Sequence, residues 1–317
     1  MTPPADSPRN GGAIPGPCIP GLAGVPAFRL DDRAVSPIPV LIAVPHAGRA
    51  YPPDLTARLR DPEGAALRLE DRHVDVLAAA VAAATGAALL VANAPRAMLD
   101  LNRAADDVDW EMVVGDHPRG GPAPVAGRRA RSGLGLVPRR LPGLGELWTA
   151  RLDRAELATR IATIHAPWHR AVGEVLGAIR ARWGAALLLD FHSMPPLSPR
   201  PGGGPAAQYV IGDRFGAACD GALVGAAFAW LAETGQRAAH NRPYAGGYAL
   251  DRHAAPRRGI HALQLEVDRR CYLDAAMREP GAELEPTAAM LAGLVRRLAA
   301  EVALLGAARA EWAEAAE

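Results

Sequence analysis

Cysteine is scarce in this chain, with three in 317 residues. Cys18, Cys219 and Cys271 are odd in number and form no CxxC pair. That excludes a disulfide framework and a cysteine zinc site, and it fits a reducing cytoplasm. An excess of one charge is missing too. Lys plus Arg number 35 against 34 Asp plus Glu, a formal net charge of +1. Arginine is interspersed with acids throughout, and no basic patch or tail speaks for nucleic acid. No uncharged apolar window of about 18 residues occurs, so no membrane span is expected. The opening MTPPADSPRNGGAIPGPCIPG lacks a basic stretch followed by an apolar one. No secretory leader is read there, and the expected compartment is the cytoplasm.

What is present is apolar and regularly patterned. Half of the residues are hydrophobic and 22% are charged, enough for a sizeable core. Residues 1–20, rich in Pro and Gly, are expected to be flexible, and residues 21–317 to form a single α/β domain. Short β-compatible runs recur at VLIAVPHAG (40–48), AALLVANAP (87–95), AALLLDFHS (185–193), AQYVIGD (207–213) and HALQLEV (261–267). Between them lie helical patterns. EDRHVDVLAAAVAAATG carries an apolar stripe at Val74, Leu77, Ala78 and Val81, with Gly86 as its stop. A long amphipathic stretch from Glu156 to Gly184 contains Pro167, where a break is expected. Alternating strands and helices argue for a three-layer α/β/α sandwich on a mixed, mostly parallel sheet. Residues 115–147, rich in Gly, Pro and Arg, read as a long loop or flap.

The chemistry gathers where strands end. LLLDFHSMPP (187–196) delivers His192 to the end of a buried strand, where open α/β sheets build their sites. Asp190, two residues earlier, shares its face and is placed to orient an imidazole. A satisfied core histidine is the competing reading. His46 ends a second strand between Pro45 and Gly48, as a ligand or as a turn histidine. Glu70, Asp71, His73 and Asp75 crowd one helix start, as a dipole-complementing turn or as the carboxylate of a His/carboxylate/His metal set. Glu266 stands in an apolar run, as the partner of Arg269 or Arg270 or as a general base. Arg96 and Arg103 flank MLDLN, as partners of nearby Asp residues or as forks for a substrate carboxylate. NRPYAGGY (241–248) reads as a tight loop where backbone approaches a ligand or another segment.

Taken in order, VPHAG with the following YP, EDRHVDVL, APRAMLDLNR, APWH, LLLDFHSMPP, NRPYAGGY and HALQLEVDRRCYLD resemble the N-formylglutamate amidohydrolase family. The resemblance spans residues 40–274, roughly three quarters of the chain. It implies a fold similar to zinc carboxypeptidases and aspartoacylases, and one zinc or other divalent ion per chain. By resemblance His46 and His192 are metal ligands, Glu266 is the catalytic glutamate, and Asn102-Arg103 is the pair that grips a substrate carboxylate. Zinc carboxypeptidases carry a carboxylate three residues after the first histidine; here that residue is Arg49. The third ligand is therefore expected from the acidic turn, with Asp71 ahead of Glu70. Arg103 is also expected to act in catalysis, and Arg96, Asn241 and Tyr244 to help bind substrate. The implied reaction is hydrolysis of a small N-acyl amino acid, foremost N-formyl-L-glutamate, a step of histidine degradation. A carboxypeptidase or amidase on another acyl-amino acid or peptide fragment is the nearest alternative. A non-catalytic binding protein on the same fold is the more distant one.

Overall fold

The computed structural model describes residues 14–31, 36–115, 127–199 and 204–314. Among the described residues eight strands form the central sheet: β1 (Ile14–Pro15), β2 (Phe28–Asp31), β3 (Val40–Val44), β4 (Ala88–Ala92), β5 (Ala186–Met194), β6 (Tyr209–Gly212), β7 (Ala238–His240) and β8 (Ile260–Asp268). Their spatial order is β1-β2-β4-β3-β5-β8-β6-β7. The pairs β4/β3, β3/β5, β5/β8 and β6/β7 are parallel. The pairs β1/β2, β2/β4 and β8/β6 are antiparallel.

The central strands β3, β5 and β8 are buried on both faces, which is why they read as near-continuous apolar runs. Alternate residues still divide between two cores. Val40, Ile42, Val44, Leu187, Leu189, Leu263 and Leu265 face α2 (Val74–Thr85), α5 (Gly221–Glu233) and the long α7 (Leu284–Glu314). Leu41, Ala43, Ala186, Leu188 and Ala262 face the opposite side, covered by α4 (Ala166–Trp183) and by α6 (Tyr248–His253). The result is the expected mixed α/β sandwich with a mostly parallel sheet. Asp190, His192 and Glu266 continue this second parity, so the polar end of β5 and β8 opens on the α4/α6 face.

Several local expectations change. Glu70, Asp71 and His73 lie outside the helix. α1 (Pro62–Leu69) ends before them, and α2 starts only at Val74, after His73 turns the chain at φ 54°. Asp71 and Asp75 therefore share no helix face. The stretch around Pro167 does not break. α3 (Arg154–Arg160) passes through a π-helical turn, Ile161–His165, into α4, and Pro167 follows that turn by two residues. Of the N-terminal segment expected to be loose, residues 1–13 lie outside the described residues. Residues 14–20 are pinned by β1 pairing and by Ile19, which is buried. Of the 115–147 excursion, residues 116–126 lie outside the described residues. The rest carries a short helix, Arg128–Arg131, and a strand pair, Arg140–Leu141 with Gly145–Glu146. Leu136 is fully buried there, and its carbonyl accepts from the Asp100 amide at 2.7 Å.

Candidate active site

Parallel register sets the first two side chains. Glu266 on β8 pairs with His192 on β5, and Gln264 with Asp190, so all four project from one face of adjacent strands. His46 follows β3 by two residues and arrives beside them. The turn that presents it needs Gly48, because a Cβ there would stand 2.0 Å from the Ala94 carbonyl oxygen. Asp71 is brought in by its own backbone, which donates to the His46 carbonyl at 2.9 Å. Arg269 fastens the same turn by donating to the carbonyls of Leu67 and Glu70.

His46, Asp71 and His192 are buried, and one ligand atom from each lies within 4.8 Å of the others. His192 Nδ1 is 2.9 Å from Asp71 Oδ2, and His46 Nδ1 is 3.7 Å from the same oxygen. Tetrahedral ligands about 2.0–2.1 Å from zinc would stand roughly 3.3 Å apart, and the two distances straddle that value. Each imidazole is held from behind. His46 Nε2 binds Asp100 Oδ1 at 2.7 Å, and His192 Nε2 binds Asp190 Oδ2 at 3.0 Å. With Nε2–H donating to a carboxylate, both rings turn an Nδ1 lone pair toward Asp71, the tautomer a metal ligand requires. The donor set of two nitrogens and a carboxylate fits a divalent zinc-type ion.

The acidic residues divide by environment. Burial alone would raise the Asp71 carboxyl, but the imidazoles of His192 and His46 beside it hold it below the usual carboxylate range. Burial pushes Glu266 up to about 8, assisted by Asp71 and Asp190 and opposed by His192 and Arg96. Glu266 pairs with neither neighbouring arginine. Arg270 holds Asp268, and Arg269 holds the 67–71 turn. Glu266 Oε1 instead accepts from Gln264 Nε2 at 2.8 Å. Glu70, the other candidate ligand, is buried in an ion pair with Arg72 at 3.2 Å. Asp75 forms a two-point pair with Arg49, 2.9 Å at each oxygen.

The residues expected to meet substrate separate sharply. Arg96 grips Asp100 Oδ2 through Nε and Nη2 at 2.9 Å, and its guanidinium feels both Asp71 and Glu266. Tyr244 is half-buried, and burial, Glu266 and Asp71 all raise its hydroxyl pKa. Both therefore border the cluster. Arg103, by contrast, spends Nε on the Leu134 carbonyl and Nη1 on that of Asn102. Its remaining approach, to Asp100, is 3.9 Å. Two of its three guanidinium nitrogens are thus spent on backbone carbonyls. Asn102 is occupied as well. Nδ2 donates to Asp190 Oδ2 at 3.1 Å, Oδ1 accepts from the Ala249 amide at 2.8 Å, and the side chain is buried. Gly247 must be glycine because its Cβ would meet Asn102 Oδ1 at 2.5 Å; the NRPYAGGY backbone approaches this side chain. Asn241 is closed in a reciprocal pair with Asp213, Nδ2 to Oδ1 at 2.6 Å and Oδ1 to the Asp213 amide at 3.0 Å. Sequence reasoning missed Asp100 as the partner of His46, Gln264 as the partner of Glu266, and Arg269 as the clamp on Asp71. The alternating parity of QLE in β8 was a signal for Gln264; the other two depend on contacts distant in sequence.

Comparison with known proteins places the chain among relatives of one family. The family model for N-formylglutamate amidohydrolase matches residues 38–273. An N-formylglutamate deformylase of Pseudomonas aeruginosa is 30% identical over 250 residues, 75% of this chain and 83% of that protein. One from Pseudomonas putida is 29% identical over 241 residues, covering 75% and 82%. The crystal structure of N-formylglutamate amidohydrolase from Ralstonia eutropha JMP134 superposes with a TM-score of 0.76 at 32% identity, over 87% of this chain and 98% of that one.

Proposed function

The chain belongs to the N-formylglutamate amidohydrolase family, and on that premise we propose that it hydrolyses N-formyl-L-glutamate to formate and L-glutamate with one zinc ion per chain. The observation that carries this reading is the buried His46–Asp71–His192 cluster with Glu266 beside His192. His46, Asp71 and His192 would hold the metal. A divalent cation there supplies a Lewis acid and lowers the pKa of a bound water toward neutrality.

The chain's own residues divide the remaining work. Gln264 fixes Oε1 of Glu266, which leaves Oε2 to carry a proton. In its carboxylate form, which a divalent cation held beside it would favour against the burial that raises it, Glu266 takes a proton from the attacking water as the C–O bond forms at the formyl carbon. It returns the proton to the amide nitrogen as the C–N bond breaks, so formate and the amine leave together. Arg96 meets negative charge, on the substrate or on the carbonyl oxygen, from within reach of Asp71 and Glu266. Asp100 and Asp190 keep the two imidazoles aimed. Three free cysteines and no helix, among the described residues, long and apolar enough to cross a membrane fit the cytoplasmic setting of a small-molecule hydrolase in histidine degradation.

Formate release from N-formyl-L-glutamate, measured beside metal content and beside acetylated and peptidyl analogues, tests the reading. Metal with preferential formate release supports it. Metal with cleavage of other acyl groups only would make the chain a relative of different specificity, and absence of both would make it a binding protein.

A further inference from the structure

Behind the candidate site lies a second group of histidines that the proposed chemistry does not use. His165 and His169 stand four residues apart, on one face of the α3–α4 helix. His165 Nε2 is 2.9 Å from the Arg103 carbonyl oxygen, and His169 Nε2 is 3.0 Å from that of Leu101. The two carbonyls flank Asn102. His169 Nδ1 is in turn 2.9 Å from His253 Nε2 on α6. The His165 and His169 rings pack at 4.4 Å, and Tyr248 covers both.

We propose that His165, His169 and His253 are positioning residues that fix the 100–103 segment, and through it the outer hydrogen bonds of both metal-facing imidazoles. A carbonyl only accepts, so His165 and His169 each carry their proton on Nε2. The neutral His169 ring then accepts at Nδ1, and His253 Nε2–H donates to it. The chain of bonds thus has one direction, from α6 through α4 to the segment. Its effect converges on two residues. Asp100 anchors His46, and Asn102 donates to Asp190, which anchors His192. The same short α6 also binds Asn102 directly, through the Ala249 amide. Three elements therefore lock around one amide side chain.

The π-helical turn at Ile161–His165 ends on the first of these histidines, where the Ala166 amide reaches back to the Ile161 carbonyl. Such turns are rare and frequently stand at functional sites. Burial also keeps the relay uncharged. It pushes His169 down to about 2 and His253 down to about 4, and lowers His165. The charges facing the group are Arg252, which opposes protonation of all three rings, and, more weakly, Asp190 toward His253 and Asp100 toward His165.

The inference uses the metal reading only for one of its two readouts. Zinc affinity, measured by competition with a chelating dye, is compared among wild type, His169→Phe and His169→Gln. The Phe ring keeps the packing and loses both hydrogen bonds; the Gln amide keeps an N–H for Leu101 and an oxygen for His253. Removing an outer hydrogen bond of a metal site typically weakens binding 10–100-fold, so His169→Phe should weaken it by about tenfold and His169→Gln by less than about threefold. Undiminished affinity in His169→Phe overturns the proposal. So does an equal loss in both variants tracking an equal fall in melting temperature. Imidazole nitrogen NMR on the wild-type protein is independent of metal. It should show His165 and His169 as neutral Nε2–H tautomers from about pH 5 to about pH 8, where an ordinary histidine titrates. A His169 that charges in that range, or carries its proton on Nδ1, overturns the proposal even if zinc binds. A wild type that takes no zinc sinks the metal reading instead, and the NMR result then decides this one alone.

Discussion

The two imidazole rings of the cluster lie 4.7 Å apart, each backed by its own aspartate, and Asp71 stands between their Nδ1 atoms. Replacing either His46 or His192 with Ala should abolish stoichiometric metal on equilibrium dialysis; retention in both variants would remove the assignment. Glu266→Gln should keep fold and metal but lose about 10²–10⁴-fold in turnover, the usual weight of a general base. Turnover near the wild-type rate would place that work elsewhere. The two arginines separate by what they touch. Arg103→Ala should lower the melting temperature and weaken charged and uncharged N-formyl substrates alike, because its bonds go to the backbone at Asn102 and Leu134. Arg96→Ala should raise KM selectively for the dicarboxylic substrate, by roughly 10–150-fold if one charge-assisted bond worth about 1.5–3 kcal/mol is lost. Equal KM effects on both substrates would return Arg96 to the framework. Which arginine faces the centre was not legible in the residues, since the carbonyl that captures Arg103 comes from a segment 31 residues further on.

Among the elements, strand ends carried the readable signal. Residues two apart on β5 share a face, so DFH announced both the histidine of the cluster and the aspartate behind it. Likewise PHAG announced a turn held by close backbone approach. Gly48→Ala should therefore displace the His46 turn and cost about 1–3 kcal/mol, as overpacking of a close contact does. Denaturant unfolding with metal removed measures it, and an unchanged midpoint would show that the turn gives way freely. The turn before α2 was less legible. Helical periodicity from Val74 onward extends backward through EDRH on paper, but His73 adopts a left-handed conformation and frees Asp71 to face His46 and His192. Resemblance selected Asp71, and local pattern alone did not. The relay of His165, His169 and His253 was invisible for the same physical reason as Arg103. Its central contact joins residues 84 apart on two helices whose pairing no periodicity encodes.

Across the whole molecule, alternating strand and helix patterns were enough to read an α/β sandwich, because buried parallel strands are apolar on both faces. The antiparallel edge formed by β1 and β2 was not readable, being only two and four residues long. The buried acids give the fold a pH signature. Glu266 is raised from an ordinary 4.5 to about 8, so folding favours its protonated form. Its contribution is full below about pH 4.5 and is lost as pH rises through about 8. Asp71 and Asp100 are lowered from 3.8 and act in the opposite sense, stabilising above that pH and losing their contribution as pH falls below it. In chelator, Glu266→Gln should thus gain melting temperature over wild type steadily from mildly acidic to mildly alkaline pH; a constant offset would contradict the raised carboxyl. The central claim is that one metal held by His46, Asp71 and His192 makes this chain an N-formylglutamate hydrolase. The most direct measurement is formate release from N-formyl-L-glutamate by protein stripped with chelator and then titrated with zinc. Activity should vanish on stripping and return to a plateau at one equivalent of zinc per chain, with no return in His192→Ala. Formate release that persists in the stripped protein, or fails to appear at saturating zinc, would contradict the account.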